Sequence, residues 1–187
     1  MMGFAGRLDT MGIMSEGESR ASTADQEVVV IRVTGDNWRE LRDVRLAALA
    51  EAPAAFGSSL RREQDFDEDH WRAWTRSAGL FMALVGESPV GMAAGVSGGS
   101  DAERKLVAMW VEPAWRGRDT ASELVSSVVD WAGSEGSDRL RLWVAEGNES
   151  ARRLYEGHGF EVTGGRKPMP SNPALYRYEM VLALNHR

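Results

Sequence analysis

The chain has 187 residues, 43% of them hydrophobic and 27% charged, a composition typical of one globular domain rather than of a disordered or coiled-coil chain. Its 22 basic and 28 acidic side chains give a net charge of −6, which disfavours nucleic acid as a partner and suits a small cation better. Cysteine is absent and the three histidines are widely spaced, so we expect no disulfide, no thiol nucleophile and no metal site.

The first 26 residues mix glycine, serine, methionine and charges without a hydrophobic period. They contain no apolar block of signal-peptide length, and every apolar run in the chain is far shorter than the roughly 20 residues needed to cross a bilayer. We therefore expect a disordered tail at 1–26, a single domain at 27–187, a cytoplasmic location and no membrane partner.

The first predicted elements are a strand and two helices. A β-branched run over residues 28–33 favours a strand, and a helix with apolar residues at helical spacing follows from a cap at Asp36 or Asn37 until just before Pro53. A second helix is predicted over about 68–76.

Three strands are predicted next, over residues 80–85, 90–96 and 105–111, as an antiparallel meander. The helix after Pro113 opens at about Thr120, has an apolar stripe that must lie on a sheet, and is expected to stop at Gly133 and Gly136. The stripe consists of Ala121, Leu124, Val125, Val128, Val129 and Ala132.

The remaining pattern predicts a strand over 139–145, a short helix over 148–156, and strands over 160–163 and 175–184. Together the segments indicate the α/β (α+β) class, with a central mixed sheet that is partly antiparallel.

The passage from the strand ending at Val111 to the helix at Thr120 is the first candidate for chemistry. The first amides of a helix have no partner within it, and they lie at the positive end of the helix dipole, so a diphosphate can bind there. Arg116 and Arg118 add positive charge. Taken alone, the two arginines are more often plain surface charge.

A second motif begins about 30 residues further on. It reads N-x-x-A-x-x-L-Y-x-x-x-G-F and runs from Asn148 through Ala151 and Tyr155 to Phe160. With the V-x-P-x-x-R-G segment before Thr120, this sequence resembles the GNAT superfamily of acyl-CoA-dependent N-acetyltransferases. The resemblance spans about residues 27–184 in element order. It implies a mostly antiparallel sheet of six to seven strands with about four helices.

The resemblance also implies acetyl-CoA as cofactor and a primary amine as acceptor, either a small molecule or a protein α-amino group. The amine would attack the thioester directly, and Tyr155 would protonate the departing thiolate. The cofactor would be held by Met109, Trp110, Val111, Arg116, Gly117, Arg118, Asp119, Thr120, Ala121, Asn148, Ala151 and Tyr155. Members of the family often dimerise, and the sequence leaves homodimer formation open.

Asp119 departs from the family pattern, which has glycine at this position. Asp119 and Thr120 are good helix caps, and Thr120 with Glu123 matches a capping box, so these side chains could occupy the amides that the pyrophosphate needs. We expect the Asp119 carboxylate to turn outward instead.

The group that accepts the proton of the amine is not evident. Three routes stay open: water, Glu112 at the end of the strand, or an acid from the 63–69 segment, which holds five carboxylates. Glu112 is the residue that we name as candidate.

The acceptor side of the cleft is predicted from the same resemblance. The candidates are Phe56, Gly57, Ser58 and Ser59 between the first two predicted helices, Trp71 in the second of those helices, and Asn172 in the last hairpin.

Two other functions compete with an acetyltransferase. Gly95, Ser97 and Gly99 match the G-x-S-x-G elbow of serine hydrolases, although that motif needs a strand-to-helix turn. The second alternative is a non-catalytic acyl-CoA-binding module, which Asp119 and the missing base suggest.

Overall fold

A seven-stranded sheet forms the centre of residues 27–184, the part of the chain that the computed structural model describes. The tail expected at 1–26 lies outside the described residues. The strands are β1 (Val28–Arg32), β2 (Gly79–Val85), β3 (Ser88–Ser97), β4 (Glu103–Val111), β5 (Arg139–Ala145), β6 (Glu161–Met169) and β7 (Asn172–Ala183). The α-helices are α1 (Trp38–Glu51), α2 (Leu60–Glu63), α3 (Glu68–Ser77), α4 (Thr120–Ser134) and α5 (Glu149–Gly157).

The strand order in the sheet is β1-β2-β3-β4-β5-β7-β6. Neighbouring strands pair antiparallel except β4 and β5, which are parallel. The prediction of a mixed, mostly antiparallel sheet of six to seven strands is confirmed, as is the meander of β2, β3 and β4.

Helices cover both faces of the sheet and bury a separate hydrophobic core on each. The apolar stripe of α4, with Leu124, Val125 and Val128, lies in one core together with Tyr155 and Phe160 of the α5 region. The other core consists of α1 and α3 residues against the opposite sides of β2, β3 and β4. Helices α1 and α4 therefore bury the faces that their hydrophobic spacing indicates.

Trp131 of α4 explains two glycines in the strands. A Cβ atom on Gly79 or Gly95 would run into the Trp131 indole ring, so the ring lies directly on the backbone of β2 and β3. Glycine is therefore required at these positions by close approach, although it has poor strand propensity.

The structure corrects three details of the predicted elements. The short helix α2 was not predicted, since its four residues carry no period. Gly133, expected to stop α4, lies inside the helix, which ends before Gly136 with its φ of +71°. Strand β6 continues to Met169 although most of its residues are exposed, because antiparallel pairing with β7 holds it at the sheet edge.

No helix within residues 27–184 is long and apolar enough to span a membrane.

Candidate active site

The parallel strands β4 and β5 separate soon after they meet. They pair at three positions, from Glu103 with Arg139 to Lys105 with Arg141, and the rest of both strands diverges. On its other side β4 has one residue more than β3 between the pairs Ala94–Val107 and Met92–Trp110. Ala108 lies in this bulge with a φ of +54°, a left-handed conformation that costs a non-glycine residue about 1–2 kcal/mol. The bulge bends β4 where the strands part.

The gap between β4 and β5 opens into a cleft of about 880 Å³. Of the predicted site residues, those that line the cleft are Phe56, Gly57, Ser58, Met109, Trp110, Val111, Arg116, Gly117, Arg118, Ala121, Asn148, Ala151 and Tyr155. The strand edges that face each other across the opening have no strand partner there, so their backbone groups can bind a ligand as an added strand would.

The turn before α4 forms one end of the cleft. Gly117 has a φ of +75°, which only glycine adopts without strain, and this residue lets the chain turn into the helix. Asp119 is in the N-cap position, but its exposed side chain makes no capping hydrogen bond. The first amides of α4 are therefore not occupied by the Asp119 carboxylate.

The capping box expected at Thr120 and Glu123 does not form. Thr120 is the first residue within α4 and is 2% exposed, and its Oγ1 atom is buried without a hydrogen-bond partner. The helix begins one residue earlier than a Thr120 cap requires, which turns this side chain into the core.

Arg116 folds back from the turn toward the strand end and α1. Its Nε donates to the Val111 carbonyl at 2.9 Å, and its Nη2 donates to Glu51 Oε2 at 2.7 Å. The Arg118 guanidinium lies 4.5 Å from the ring centroid of Trp115. Both guanidinium groups thus lie at this end of the cleft, and that of Arg116 is paired with the Glu51 carboxylate.

Glu51, at the end of α1, is a cleft residue that the sequence did not reveal. Its Oε2 also accepts from the Trp110 indole at 2.9 Å. The hydrogen bonds from Trp110 and Arg116 hold the pKa of the Glu51 carboxyl below its usual range. A carboxylate at the end of a helix and before a proline carries no sequence signal for such a role.

Tyr155 lies on α5, facing the cleft from the side of β5. It is 6% exposed, packs edge-on against Phe160 at 5.7 Å between centroids, and still lines the cleft. Burial raises the pKa of its phenol above the usual value. Asn148 caps α5, since its Oδ1 accepts from the Ala151 amide at 3.1 Å, and it also lines the cleft.

The opposite end of the cleft lies between the α1–α2 loop and the β6–β7 hairpin. The Ser171 hydroxyl at the hairpin tip donates to the Ala54 carbonyl at 2.8 Å, so the hairpin contacts the loop. Met169 and Pro170 line the cleft there, whereas Asn172 does not, because its Oδ1 turns back to the Ala174 amide. Ser59 is also absent from the lining, since its hydroxyl caps α2.

Four other predicted residues lie outside the cleft lining. Trp71 is 1% exposed and lines a second cavity of about 390 Å³ instead, because it is part of the core between α1 and α3. Glu112 lies beyond the end of β4, where its amide pairs with Val90. Asp119 points to solvent and Thr120 into the core, as described above.

Arg45 and Trp74 line both cavities, and the sequence analysis did not single out either. Arg45 has a signal that could have found it: it is a charged residue on the stripe of α1 that buries Leu41, Val44, Ala48 and Leu49. A charge at such a position is rarely buried without a partner or a role.

Ser97 does not form a nucleophile elbow. It ends β3 in a hairpin that leads to the antiparallel strand β4, and its hydroxyl accepts from the Gly99 amide at 3.4 Å. The motif needs a strand-to-helix turn, so the hydrolase alternative based on Ser97 is wrong. Within residues 27–184, no cluster of three or more histidine and acidic side chains could hold a metal ion.

A family model described as the acetyltransferase (GNAT) family matches residues 44–160, more than half of the chain. The chain therefore belongs to the acetyltransferase (GNAT) family.

Two curated relatives match parts of the chain. A mycothiol acetyltransferase from Brachybacterium faecium is 28% identical over 138 residues, covering 69% of this chain and 41% of that protein. An uncharacterized N-acetyltransferase from Methanocaldococcus jannaschii is 32% identical over 88 residues, covering 44% of this chain and 39% of that protein. The chain thus matches about two fifths of the length of each.

Solved structures share the fold at low sequence identity. A Salmonella typhimurium acetyltransferase structure that contains its cofactor acetyl-CoA has a TM-score of 0.70 at 17% identity, covering 86% of this chain and 96% of that one. A ribosomal-protein-alanine N-acetyltransferase from Brucella melitensis has a TM-score of 0.68 at 18% identity, covering 83% and 99%. At these identities the likeness concerns the fold alone.

Proposed function

We propose that this protein is an N-acetyltransferase that transfers an acetyl group from acetyl-CoA to a primary amine by direct attack in a ternary complex. The observation that carries the proposal is the divergence of β4 from β5 beside an α4 N-terminus that no side chain caps. This combination offers strand edges for an extended, amide-containing arm and helix amides for phosphates, on two sides of one cleft.

The residues of the cleft fit the parts of acetyl-CoA. The pyrophosphate would be held by the amides from Arg116 to Ala121, with Arg118 adding positive charge. The pantetheine arm would pair with the β4 edge at Met109–Val111, and the Asn148 amide and Ala151 would contact it from α5. When bound, acetyl-CoA supplies the acetyl group as an activated thioester.

Tyr155 is the proposed acid for the departing thiolate. Burial raises the pKa of the phenol, so it stays protonated at every pH at which the protein is expected to work. A backbone amide of β4 near Met109 or Trp110 would polarise the thioester carbonyl, aided by the bend that Ala108 introduces.

Glu51 lines the cleft and Glu112 does not, so Glu51 replaces Glu112 in this proposal as the acidic side chain that faces the acceptor. The lowered pKa of the Glu51 carboxyl makes it a weak base but keeps it negatively charged. It would attract the substrate ammonium, and the proton would leave through water.

We propose further that residues 27–187 act as one acetyltransferase domain. The acceptor would be a small-molecule amine or a protein α-amino group, and homodimer formation stays open. The cytoplasm is the proposed location.

The alternative is a non-catalytic acyl-CoA-binding module on the same fold. Calorimetric titration with acetyl-CoA, followed by a free-thiol assay with a panel of primary amines, separates the two functions. Binding together with amine-dependent thiol release supports the transferase. Binding without release from any amine supports the module, and the absence of binding contradicts both.

A further inference from the structure

Arg45, one of the residues that line the cleft, has a hydrogen-bond donor that no group within residues 27–184 uses. The residue is 7% exposed, and its guanidinium makes two hydrogen bonds to the Glu63 carboxylate, from Nε at 2.8 Å and from Nη2 at 2.7 Å. The third nitrogen, Nη1, is buried and has no partner. A buried donor that lacks an acceptor costs free energy, and proteins rarely leave a charged one in that state.

The surroundings of Arg45 fix the plane of the guanidinium. The Phe56 ring centroid lies 4.7 Å from its central carbon, and that of Trp74 lies 5.7 Å away. Arg45 and Trp74 also form the wall between the main cleft and the second cavity, because both residues line both spaces. The unused donor therefore belongs to a side chain that is held between two aromatic rings and lines both cavities.

Glu63 occupies one edge of the guanidinium and leaves the other edge available. Burial opposes ionisation of the Glu63 carboxyl, but hydrogen bonds from Arg45 and Ser58, together with the positive charges of Arg45 and Arg62, hold its pKa below the usual range. An arginine carries five N–H donors in a planar fork, so a second carboxylate can bind at the end edge while Glu63 keeps the side edge.

The same cleft holds the Glu51 carboxylate, whose Oε2 accepts from Trp110 and forms an ion pair with Arg116, so that an ammonium would bind beside this pair. An acceptor that carries both an ammonium and a carboxylate is complementary to Glu51 and Arg45 together. An amine without an anionic group would leave Nη1 unsatisfied.

We propose that the acceptor is a small amine that also carries a carboxylate, as a free amino acid does, and that Arg45 Nη1 binds this carboxylate. The inference rests on the proposed function, since it names the substrate class of the same cleft. It favours a small-molecule acceptor over the terminus of a protein, whose amine has no carboxylate beside it.

The test measures binding of reaction-product analogues and so does not depend on turnover. N-acetylglycine, N-acetylalanine and N-acetylphenylalanine are each titrated by calorimetry against the corresponding carboxamide, with the full chain in a buffer free of carboxylates. We expect at least one acid to bind about tenfold or more tightly than its amide, as a hydrogen bond to a charged group implies.

Three variants test whether Arg45 is the residue that distinguishes the acids from the amides. The quantity compared is the acid-to-amide ratio, the affinity for an N-acetyl acid divided by the affinity for its carboxamide. Arg45→Met combined with Glu63→Gln removes both charges, so that neither is left buried alone, and should reduce this ratio to about one. Glu63→Gln alone leaves Arg45 without its neutralising partner and should raise the ratio. The matched control is Arg72→Met with Glu68→Gln, an ion pair on α3 outside both cavities, which should leave the ratio unchanged.

Equal binding of every acid and its amide to the unaltered protein would overturn the proposal, as would a ratio that survives the double substitution. If the double variant fails to fold, Arg45→Lys takes its place, because lysine keeps the charge but lacks the planar edge and should also lower the ratio. A separate acetyl-CoA titration distinguishes the two proposals. Loss of acetyl-CoA binding counts against the transferase, whereas the acid-to-amide ratio decides the role of Arg45.

Discussion

Tyr155 is a single side chain whose chemistry is set by burial. Its phenol remains protonated because burial raises its pKa, and a protonated donor near the thiolate is worth about 10²–10⁴ in rate. We therefore expect Tyr155→Phe to lower kcat by about a hundredfold or more while the Kd for acetyl-CoA stays nearly unchanged. Steady-state kinetics and calorimetry measure the two quantities.

Tyr176→Phe is the matched control for this substitution. Tyr176 lies on β7, where its ring stacks 3.6 Å from the Arg166 guanidinium, outside the cleft lining. Equal losses of kcat in the two variants would contradict an acid role for Tyr155.

Asp119 adds a negative charge where a diphosphate is proposed to bind. Its backbone is right-handed helical, with a φ of −72°, so any residue can adopt this conformation. The effect of Asp119 on acetyl-CoA binding should therefore come from its charge. We expect Asp119→Asn and Asp119→Gly to tighten acetyl-CoA binding similarly, by about two- to fivefold at low ionic strength. Weaker binding in both variants would show that the carboxylate helps to hold the cofactor.

The ion pair of Arg45 with Glu63 predicts a pH effect on stability. The pKa of Glu63 is lowered in the folded state, so the pair stabilises the protein fully above the unfolded pKa of about 4.3 and loses this effect as the pH falls through the folded pKa. We expect Glu63→Gln to cost about 1–3 kcal/mol at pH 7 and progressively less toward pH 3. Urea unfolding at several pH values measures the difference in unfolding free energy between the unaltered protein and Glu63→Gln. A difference that stays constant with pH would contradict a lowered pKa of Glu63.

At the scale of elements, α4 can pack closely on β2 and β3 only because Gly79 and Gly95 have no side chain beneath Trp131. Gly95→Ala would drive a methyl group into the Trp131 ring, and we expect it to cost about 1–3 kcal/mol of unfolding free energy or more. Gly133→Ala lies in α4 with open space around the new methyl group and should stabilise by up to about 1 kcal/mol. Thermal or urea unfolding compares the two, and equal effects would mean that the strands move away from α4.

Periodic elements could be predicted from the sequence, and local irregularities could not. The stripe of α4 and the alternation of β5 gave correct positions because each buries one face against the sheet. The bulge at Ala108, the short helix α2 and the exposed edge strand β6 depend on pairing with distant residues, and no local pattern records such pairing.

In the candidate site too, the residues of local motifs could be predicted from the sequence, and residues brought in from distant parts of the chain could not. Motif residues such as Arg116, Asn148 and Tyr155 come together in the cleft because the turn and α5 flank the strands that separate. Arg45 and Glu51 join them from α1, far away in sequence, and only the folded chain brings them near.

At the scale of the whole molecule, the sheet consists of two parts joined by the short pairing of β4 with β5. If acetyl-CoA lies between the diverging strands, it should slow hydrogen exchange of the β4 amides after Lys105, while amides of β1 change little. Mass spectrometry with and without acetyl-CoA measures this protection. Uniform protection across the sheet would indicate global stabilisation instead of binding between the strands.

The short pairing of β4 with β5 also bears on how the chain is made. Strands β1 to β4 precede α4 and pair only among themselves apart from this one junction, and β5 to β7 follow α4 and do likewise. During synthesis, the meander of the first four strands can therefore assemble while residues after 139 are still inside the ribosome. Residues 139–183, which carry β5 to β7, can then join the meander along a junction of three residue pairs.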